Sequence, residues 1–296
     1  MTPHQVLEAA RAGDLEKLGI ELDAVADAVD HFAKVGDAPS ALELAGRSWR
    51  LWFARGELDE GGAVITTALS VPGGTAAPRW QVRALSADGI LAFRAGDQPR
   101  SRASNEKALQ IARQTGDVRG ECDALTGLAR VALRDGRYGE VIALARQARD
   151  LATDAGDQEA GAAPLHLHAA GTRLGGDYAA ARELYLQSLS LNTDLGNRAW
   201  VSMELHNLGW VELHLGNVEA AKARFRQRDE AGVTDVYGEA WTELNWSAVA
   251  AAESDVADAQ RRFAIGSSGL DRLGLALDPD DLAELEWLRK QVRQES

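Results

Sequence analysis

The sequence contains little cysteine and proline, and less positive than negative charge. Cysteine occurs once, as Cys122, so no disulfide can form within the chain and a reducing compartment is expected. Only 7 of the 296 residues are proline, which leaves helices few interruptions. The 32 basic residues against 45 acidic ones give a net charge of -13. This balance disfavours a general affinity for nucleic acid or for an anionic membrane surface.

Signals for export or for membrane insertion are also missing. No basic start followed by an apolar run occurs in the N-terminal stretch MTPHQVLEAARAGDLEKL. No segment approaches the roughly 18 uninterrupted apolar residues that a membrane span requires. We therefore expect a cytoplasmic protein that has neither a nucleic acid nor a membrane as its partner.

Sequence motifs of catalysis and metal binding are absent as well. The chain has no Gly-x-Ser-x-Gly, no His-Glu-x-x-His, no paired cysteines and no dinucleotide-binding glycine pattern. His166 and His206 occupy equivalent positions in successive repeats, but no carboxylate or cysteine joins them in that register. We therefore predict no catalytic residue, no metal and no cofactor. An enzyme that uses the groove described below as a pocket is the remoter alternative.

The chain does contain a regular spacing of glycine. From Gly96 to Gly216 a glycine stands at every twentieth residue, and Asp or Asn follows most of them. The glycines are Gly96, Gly116, Gly136, Gly156, Gly176, Gly196 and Gly216. Glycine supplies the left-handed conformation that ends a helix, and the Asp or Asn side chain caps the next helix. One helix and one turn fill each interval, and Ser254-Asp255 takes the place of the last such turn.

The segment from Arg198 to Phe225 shows what one repeat contains. Apolar residues recur at helical spacing as far as Leu215, then Gly216-Asn217 breaks the pattern and a second helix begins. Gly209 is a small residue on the first helix, and Phe225 is a large one on the second. Small residues let antiparallel helices approach closely, so we expect these two positions to pack against each other.

These offsets resemble those of the tetratricopeptide repeat (TPR). The 40-residue period is similar to the TPR variant at the C-terminus of bacterial transcription regulators that carry a signal-transduction ATPase. The resemblance covers about residues 41–273 and is clearest in ALELAGRSWRLWFARGELDEG, IARQTGDVRGECDALTGLA and ELHNLGWVELHLGNVEAAKARF. It implies an all-α, right-handed, TPR-like solenoid of about six to seven antiparallel helix pairs. We expect a single domain over 1–296, with a candidate hinge at 71–78.

A final helix should begin at Asp278-Pro279 and close the exposed end of the stack. Its apolar stripe is predicted from the helical spacing of Leu282, Leu285, Leu288 and Val292. Glu284 is expected to face elsewhere.

In TPR proteins the first helix of each pair lines a concave groove. Carried over by position, the resemblance implies the following groove residues: Arg130, Arg134, His166, Arg173, His206, Asn207, Trp210, His214 and Trp241. This set contains no acidic residue, although the chain as a whole is acidic. It favours an acidic or anionic partner, with the two tryptophans as flat apolar contacts. The alternative is that the arginines lie on an ordinary helix face and the tryptophans belong to the core.

Two functions follow from the resemblance. The first is a non-catalytic binding module that holds a peptide or protein segment in its groove. The second is a sensor whose groove closes on a small-molecule inducer. The regulators' other roles are not implied, because the sequence has no Gly-x-x-x-x-Gly-Lys loop and no basic recognition helix. An extended groove would favour the peptide, and a deep pocket bounded by Trp and His would favour the inducer.

Overall fold

A computed structural model describes residues 1–15, 19, 21–232, 236–273 and 277–294. Within these ranges the regular structure consists of 15 α-helices and one 3-10 turn at Gly74–Ala76, without any strand. The helices are α1 (Pro3–Ala12), α2 (Leu22–Lys34), α3 (Ala38–Arg55), α4 (Leu58–Ser70), α5 (Pro78–Arg94), α6 (Gln98–Thr115), α7 (Val118–Arg134), α8 (Tyr138–Asp154), α9 (Gln158–Leu174), α10 (Tyr178–Asp194), α11 (Arg198–His214), α12 (Val218–Glu230), α13 (Val236–Ala252), α14 (Val256–Leu273) and α15 (Pro279–Gln294). The predicted all-α architecture is confirmed.

Most prolines lie where a helix begins. Pro3, Pro39, Pro78, Pro99 and Pro279 occupy the first positions of α1, α3, α5, α6 and α15. The first turn of a helix has no internal acceptor for its N–H groups, so the missing N–H of proline costs nothing there. Pro164 differs from these, because it lies inside α9.

The turns between helices have the conformation that the glycine spacing predicts. The seven spaced glycines have φ between 66° and 92°, and Ser254 adopts the same left-handed conformation with φ 62°. Asp97, for example, accepts a hydrogen bond from the N–H of Arg100 at 3.1 Å. Asn197 and Asn217 were expected to cap in the same way but do not. The Nδ2 of Asn217 instead donates to Glu212 at 2.8 Å.

Small residues lie at the predicted helix contacts. A Cβ added to Gly209 would lie 2.1 Å from the Cε1 of Phe225, so only glycine permits this approach. Asn105 stands where the repeat pattern expects a large apolar residue. It fills a gap between two glycines, because an added Cβ would lie 2.3 Å from its amide at Gly89 and 2.0 Å at Gly127.

The chain divides into two compact units. The first comprises residues 1–131 and 150–156, and the second comprises 132–149 and 157–296. The first unit has a core that includes Phe32, Leu42 and Trp52. The loop 71–78 lies inside this unit, and the hinge expected there stays a prediction, as does the single domain.

The second unit contains the helix pairs α9 with α10, α11 with α12, and α13 with α14. Its largest core cluster includes Trp210, Phe225 and Trp241, together with Leu285 and Leu288 from α15. The last helix is therefore part of this core. None of the described helices combines the length and the apolar character needed to cross a membrane.

Candidate functional site

The C-terminal helix α15 lies against the first helices of the last three pairs. These helices, α9, α11 and α13, carry all of the predicted groove residues except Arg130 and Arg134. We call the surface that α15 covers the A-helix face. It consists of Arg173, His206, Asn207, Trp210, His214, Tyr237 and Trp241.

The helix presents a different side from the one that its apolar spacing predicts. Leu282 is 46% exposed, whereas Glu284 is only 3% exposed. Leu285 and Leu288 are buried as expected. The stripe prediction was therefore wrong at Leu282 and Glu284. The physical reason is that Arg173 and His214 on the A-helix face pair with Glu284, so this carboxylate is buried with partners and its position on the helix is fixed by them.

Arg173 is the charged centre of the A-helix face. Its side chain is 1% exposed, and its two Nη atoms lie 3.2 Å from Oδ2 of Asp280 and 3.4 Å from Oε1 of Glu284. Its Nη1 also donates to Oδ1 of Asn207 at 3.0 Å. The guanidinium lies over the ring of Tyr185, 5.7 Å from the ring centroid. One buried arginine therefore joins α9, α11 and two carboxylates of α15.

His214 contacts α15 through Glu284. Its Nε2 lies 2.7 Å from Oε2 of Glu284. The imidazole stacks on Tyr178 with ring centroids 4.4 Å apart, and Trp287 packs against it edge-on at 5.0 Å. Glu284 is thus held between Arg173 and His214, which both carry or can carry positive charge.

His206 and Asp281 form a contact that differs from an ordinary ion pair. Their Nε2 and Oδ1 atoms are 3.5 Å apart. Burial, helped by the charges of Arg228 and Arg173, lowers the pKa of His206 to about 3. Burial and the charge of Asp280 raise the pKa of Asp281 to about 7, although its hydrogen bond from Tyr237 opposes this. Near pH 5 the imidazole is therefore neutral and the carboxyl is protonated.

The two predicted tryptophans are buried. Trp210 is 0% and Trp241 is 2% exposed. The indole N–H of Trp210 donates to Asn245 at 2.8 Å, and its ring packs edge-on against Trp287 at 5.9 Å. These positions suit the alternative in which the tryptophans pack in the core, and Trp210 at the same time contacts α15.

His166 lies beside the A-helix face in a separate polar cluster. Its Nδ1 is 3.0 Å from Oε1 of Glu204, and the hydroxyl of Ser188 donates to the same oxygen at 2.7 Å. Burial acts to lower the pKa of His166, but the charge of Glu204 outweighs it and the pKa is raised. The carboxylate partner is the residue that sequence reasoning about His166 missed.

The two predicted residues on α7 are placed differently. Arg134 donates from Nη2 to Oδ1 of Asp278 at 3.2 Å, just before α15 begins. Arg130 lies one turn earlier, in the first compact unit, where its charge acts on Asp123. The structure thus brings Arg134, Arg173, His206 and His214 to the same acidic segment.

The geometry suits the recognition of a polypeptide. The predicted groove residues meet carboxylates, as expected of an acidic partner, but these carboxylates belong to the chain itself. The residues that sequence reasoning missed are Tyr237, Asp280, Asp281 and Glu284. Two sequence features, taken together, could have predicted them. The last helix begins with a group of acids, and the predicted groove contains no acidic residue that would repel them. Among the described residues, no group of three or more His, Cys, Asp and Glu is placed to hold a metal ion.

No family profile and no characterised protein sequence matches the chain. Solved structures of TPR proteins do match. The apo form of RapI matches with a TM-score of 0.68 at 9% identity, over 92% of this chain and 97% of that one. NprR in complex with its cognate peptide NprX matches with a TM-score of 0.60 at 14% identity, over 99% and 83%.

A signal-transduction ATPase with a TPR sensor from Pyrococcus horikoshii is also similar. It matches with a TM-score of 0.65 at 15% identity, and the match covers 99% of this chain and 43% of that one. Similarity at these identities shows the fold alone. The chain has the TPR-like solenoid fold that its glycine spacing predicts.

Proposed function

We propose that the protein is a non-catalytic, cytoplasmic binding module that holds a peptide or protein segment on its A-helix face. One observation carries this proposal. The face already holds a helical polypeptide, α15, through Arg173, His206 and His214. A surface that binds one acidic helix has the shape and charge to bind another of the same kind.

The comparisons support a polypeptide as the partner. NprR was solved with its cognate peptide NprX, and a Rap protein was solved with the competence and sporulation factor. Both share the fold of this chain. The small-molecule alternative required a deep pocket bounded by Trp and His. The structure places α15 against His206, Trp210 and Trp241, so the site contacts protein where that pocket was expected.

The test is affinity capture on the immobilised full chain from a native cytosolic extract. The retained material is analysed both for polypeptides and for small molecules. We expect a polypeptide whose retention falls as salt is added, because its acidic groups meet Arg134, which is partly exposed to solvent. Arg134→Glu should weaken retention, since Arg134 is 21% exposed and lies at the edge of the A-helix face.

Arg224→Glu is the matched control, because Arg224 lies on α12 and donates a hydrogen bond to Gln227 of the same helix. Equal loss of binding in both variants would contradict recognition by the A-helix face. Retention of a small molecule without any polypeptide would instead support the sensor.

A further inference from the structure

The contacts of α15 are mainly polar at its N-terminal end. Asp280, Asp281 and Glu284 all face the A-helix face, and their side chains are 13%, 16% and 4% exposed. Helical spacing puts residues 280, 281 and 284 on one side of the helix. The apolar part follows one turn later. The helix is therefore amphipathic, and its buried side is acidic at the start and apolar further along.

Apolar burial holds α15 only along a narrow strip. Leu285 and Leu288 are buried, and Trp287 and Val292 pack against the same core, but Leu282 is 46% exposed. Buried ion pairs supply specificity more than net stability, because each charge loses its hydration on docking. Few apolar side chains are thus available to make the docking of α15 permanent.

The polar fit between α15 and its site is incomplete. Among the described residues, Nε and Nη2 of Arg173 have no aligned hydrogen-bond acceptor, although Nη2 is close to Asp280. Nδ1 of His206 is also buried without a partner. A buried polar atom without a hydrogen bond raises the free energy of the state that contains it. A helix that supplied these acceptors would bind this face more tightly than α15 does.

We propose that the A-helix face is a receptor site for acidic amphipathic helices and that α15 is its exchangeable occupant. The partner carries carboxylates at the positions of Asp280, Asp281 and Glu284, followed by an aromatic residue at the position of Trp287. This inference rests on the proposed function and specifies the partner's chemistry.

The experiment measures binding of a fluorescein-labelled synthetic peptide, residues 278–292 of this chain, to the full-length protein by fluorescence anisotropy. The wild-type protein should bind it weakly, because its own α15 competes. Glu284→Lys places a positive charge beside Arg173 and His214 and should displace α15. The variant should bind the peptide at least 10-fold more tightly than the wild type, a gain that corresponds to about 1.4 kcal/mol.

Glu286→Lys is the matched control, because it makes the same change of charge at a residue on the exposed side of α15. It should bind the peptide as the wild type does. A second peptide carries Asp280→Lys, Asp281→Lys and Glu284→Lys and should not bind. A third keeps only the three acids, Leu285, Trp287 and Leu288, with alanine elsewhere, and should bind like the first.

Hydrogen exchange on the unaltered protein gives a second readout that does not depend on how the variant folds. Excess peptide should accelerate amide exchange in residues 279–294 and leave α5 unchanged. Peptide affinities that are equal in all three proteins, together with unchanged exchange in α15, would overturn the proposal. So would failure of the third peptide to bind, because the recognised class would then be wrong.

The outcome separates this inference from the proposed function. If a cytosolic polypeptide is retained by the chain but the acidic peptides do not bind Glu284→Lys, the receptor inference fails and the binding function stands. If neither is bound, the proposed function fails as well.

Discussion

At the scale of single residues, the site depends on how burial changes the charge of a few side chains. Arg173 remains charged although its side chain is 1% exposed, because two carboxylates of α15 lie within 3.4 Å of its Nη atoms. Asp281 lies on the same helix but contacts the hydroxyl of Tyr237 and the imidazole of His206.

Asp281 makes the stability of the folded chain depend on pH. Its pKa is 3.8 before folding and about 7 afterwards, so the folded state holds the proton more tightly. The resulting stabilisation is complete below pH 3.8 and is lost as the pH rises through about 7. Asp281→Asn cannot ionise. The variant should therefore gain stability relative to the wild type as the pH rises, on the order of 1 to 4 kcal/mol in total.

Urea denaturation at a series of pH values measures this difference. The gain should develop between about pH 4 and pH 7 and stay constant above that range. Glu286→Gln removes an exposed carboxyl from the same helix and is the control for the loss of one acidic group. A difference for Asp281→Asn that stays constant with pH would show that the pKa of Asp281 is not raised.

At the scale of elements, the turns are local structures and could be predicted from short stretches of sequence. Each one needs a residue that tolerates positive φ, and in several of them an Asp directly before the next helix caps it, as Asp97 does. Ser254 is the exception, because φ is 62° at a residue that has a Cβ. No residue that is distant in the sequence is needed to explain this turn.

Ser254→Gly should stabilise the protein by about 0.5 to 1 kcal/mol, because left-handed backbone is unfavourable for a residue with a Cβ and acceptable for glycine. The reverse change at an equivalent turn, Gly216→Ala, should destabilise by a similar amount. Gly216 has φ 77° and open space around its Cα, so backbone conformation alone is altered. Thermal denaturation of both variants tests the pair. Shifts of the same sign would refute this explanation.

The position of α15 could not be predicted in the same way. Its existence and its start at Pro279 follow from local sequence, and so do the buried positions of Leu285 and Leu288. Which side faces the protein depends on Arg173 and His214, which are distant in sequence. Hydrophobic spacing treats a glutamate as a surface residue, whereas ion pairs make Glu284 a buried one.

At the scale of the whole molecule, the fold is a series of helix pairs that repeat every 40 residues. Gly209 and Phe225 show the contact on which each pair depends, and it could be predicted from spacing because it recurs. The division of the chain into two compact units could not be predicted from the sequence. Its boundary falls within the regular repeats, and no change of composition marks it.

Deletion of residues 97–136 should leave a shorter folded protein. It removes α6 and α7 between two equivalent turns, so every remaining helix keeps its role as first or second member of a pair. Deletion of residues 97–116 alone should unfold the neighbouring repeats, because α7 would then take the place of a second helix. Circular dichroism and cooperative thermal melting measure the outcome. Equal tolerance of both deletions would contradict the repeat.

The covalent connection between α14 and α15 makes docking of α15 a unimolecular equilibrium. A tethered segment competes at an effective concentration that reaches the millimolar range for a short linker. If the docked form is favoured about 100-fold, an external helix of equal intrinsic affinity has an apparent dissociation constant about 100-fold higher. The protein then responds to acidic helices only above a threshold concentration. That threshold does not change when the protein itself is diluted, because protein and competitor are one chain.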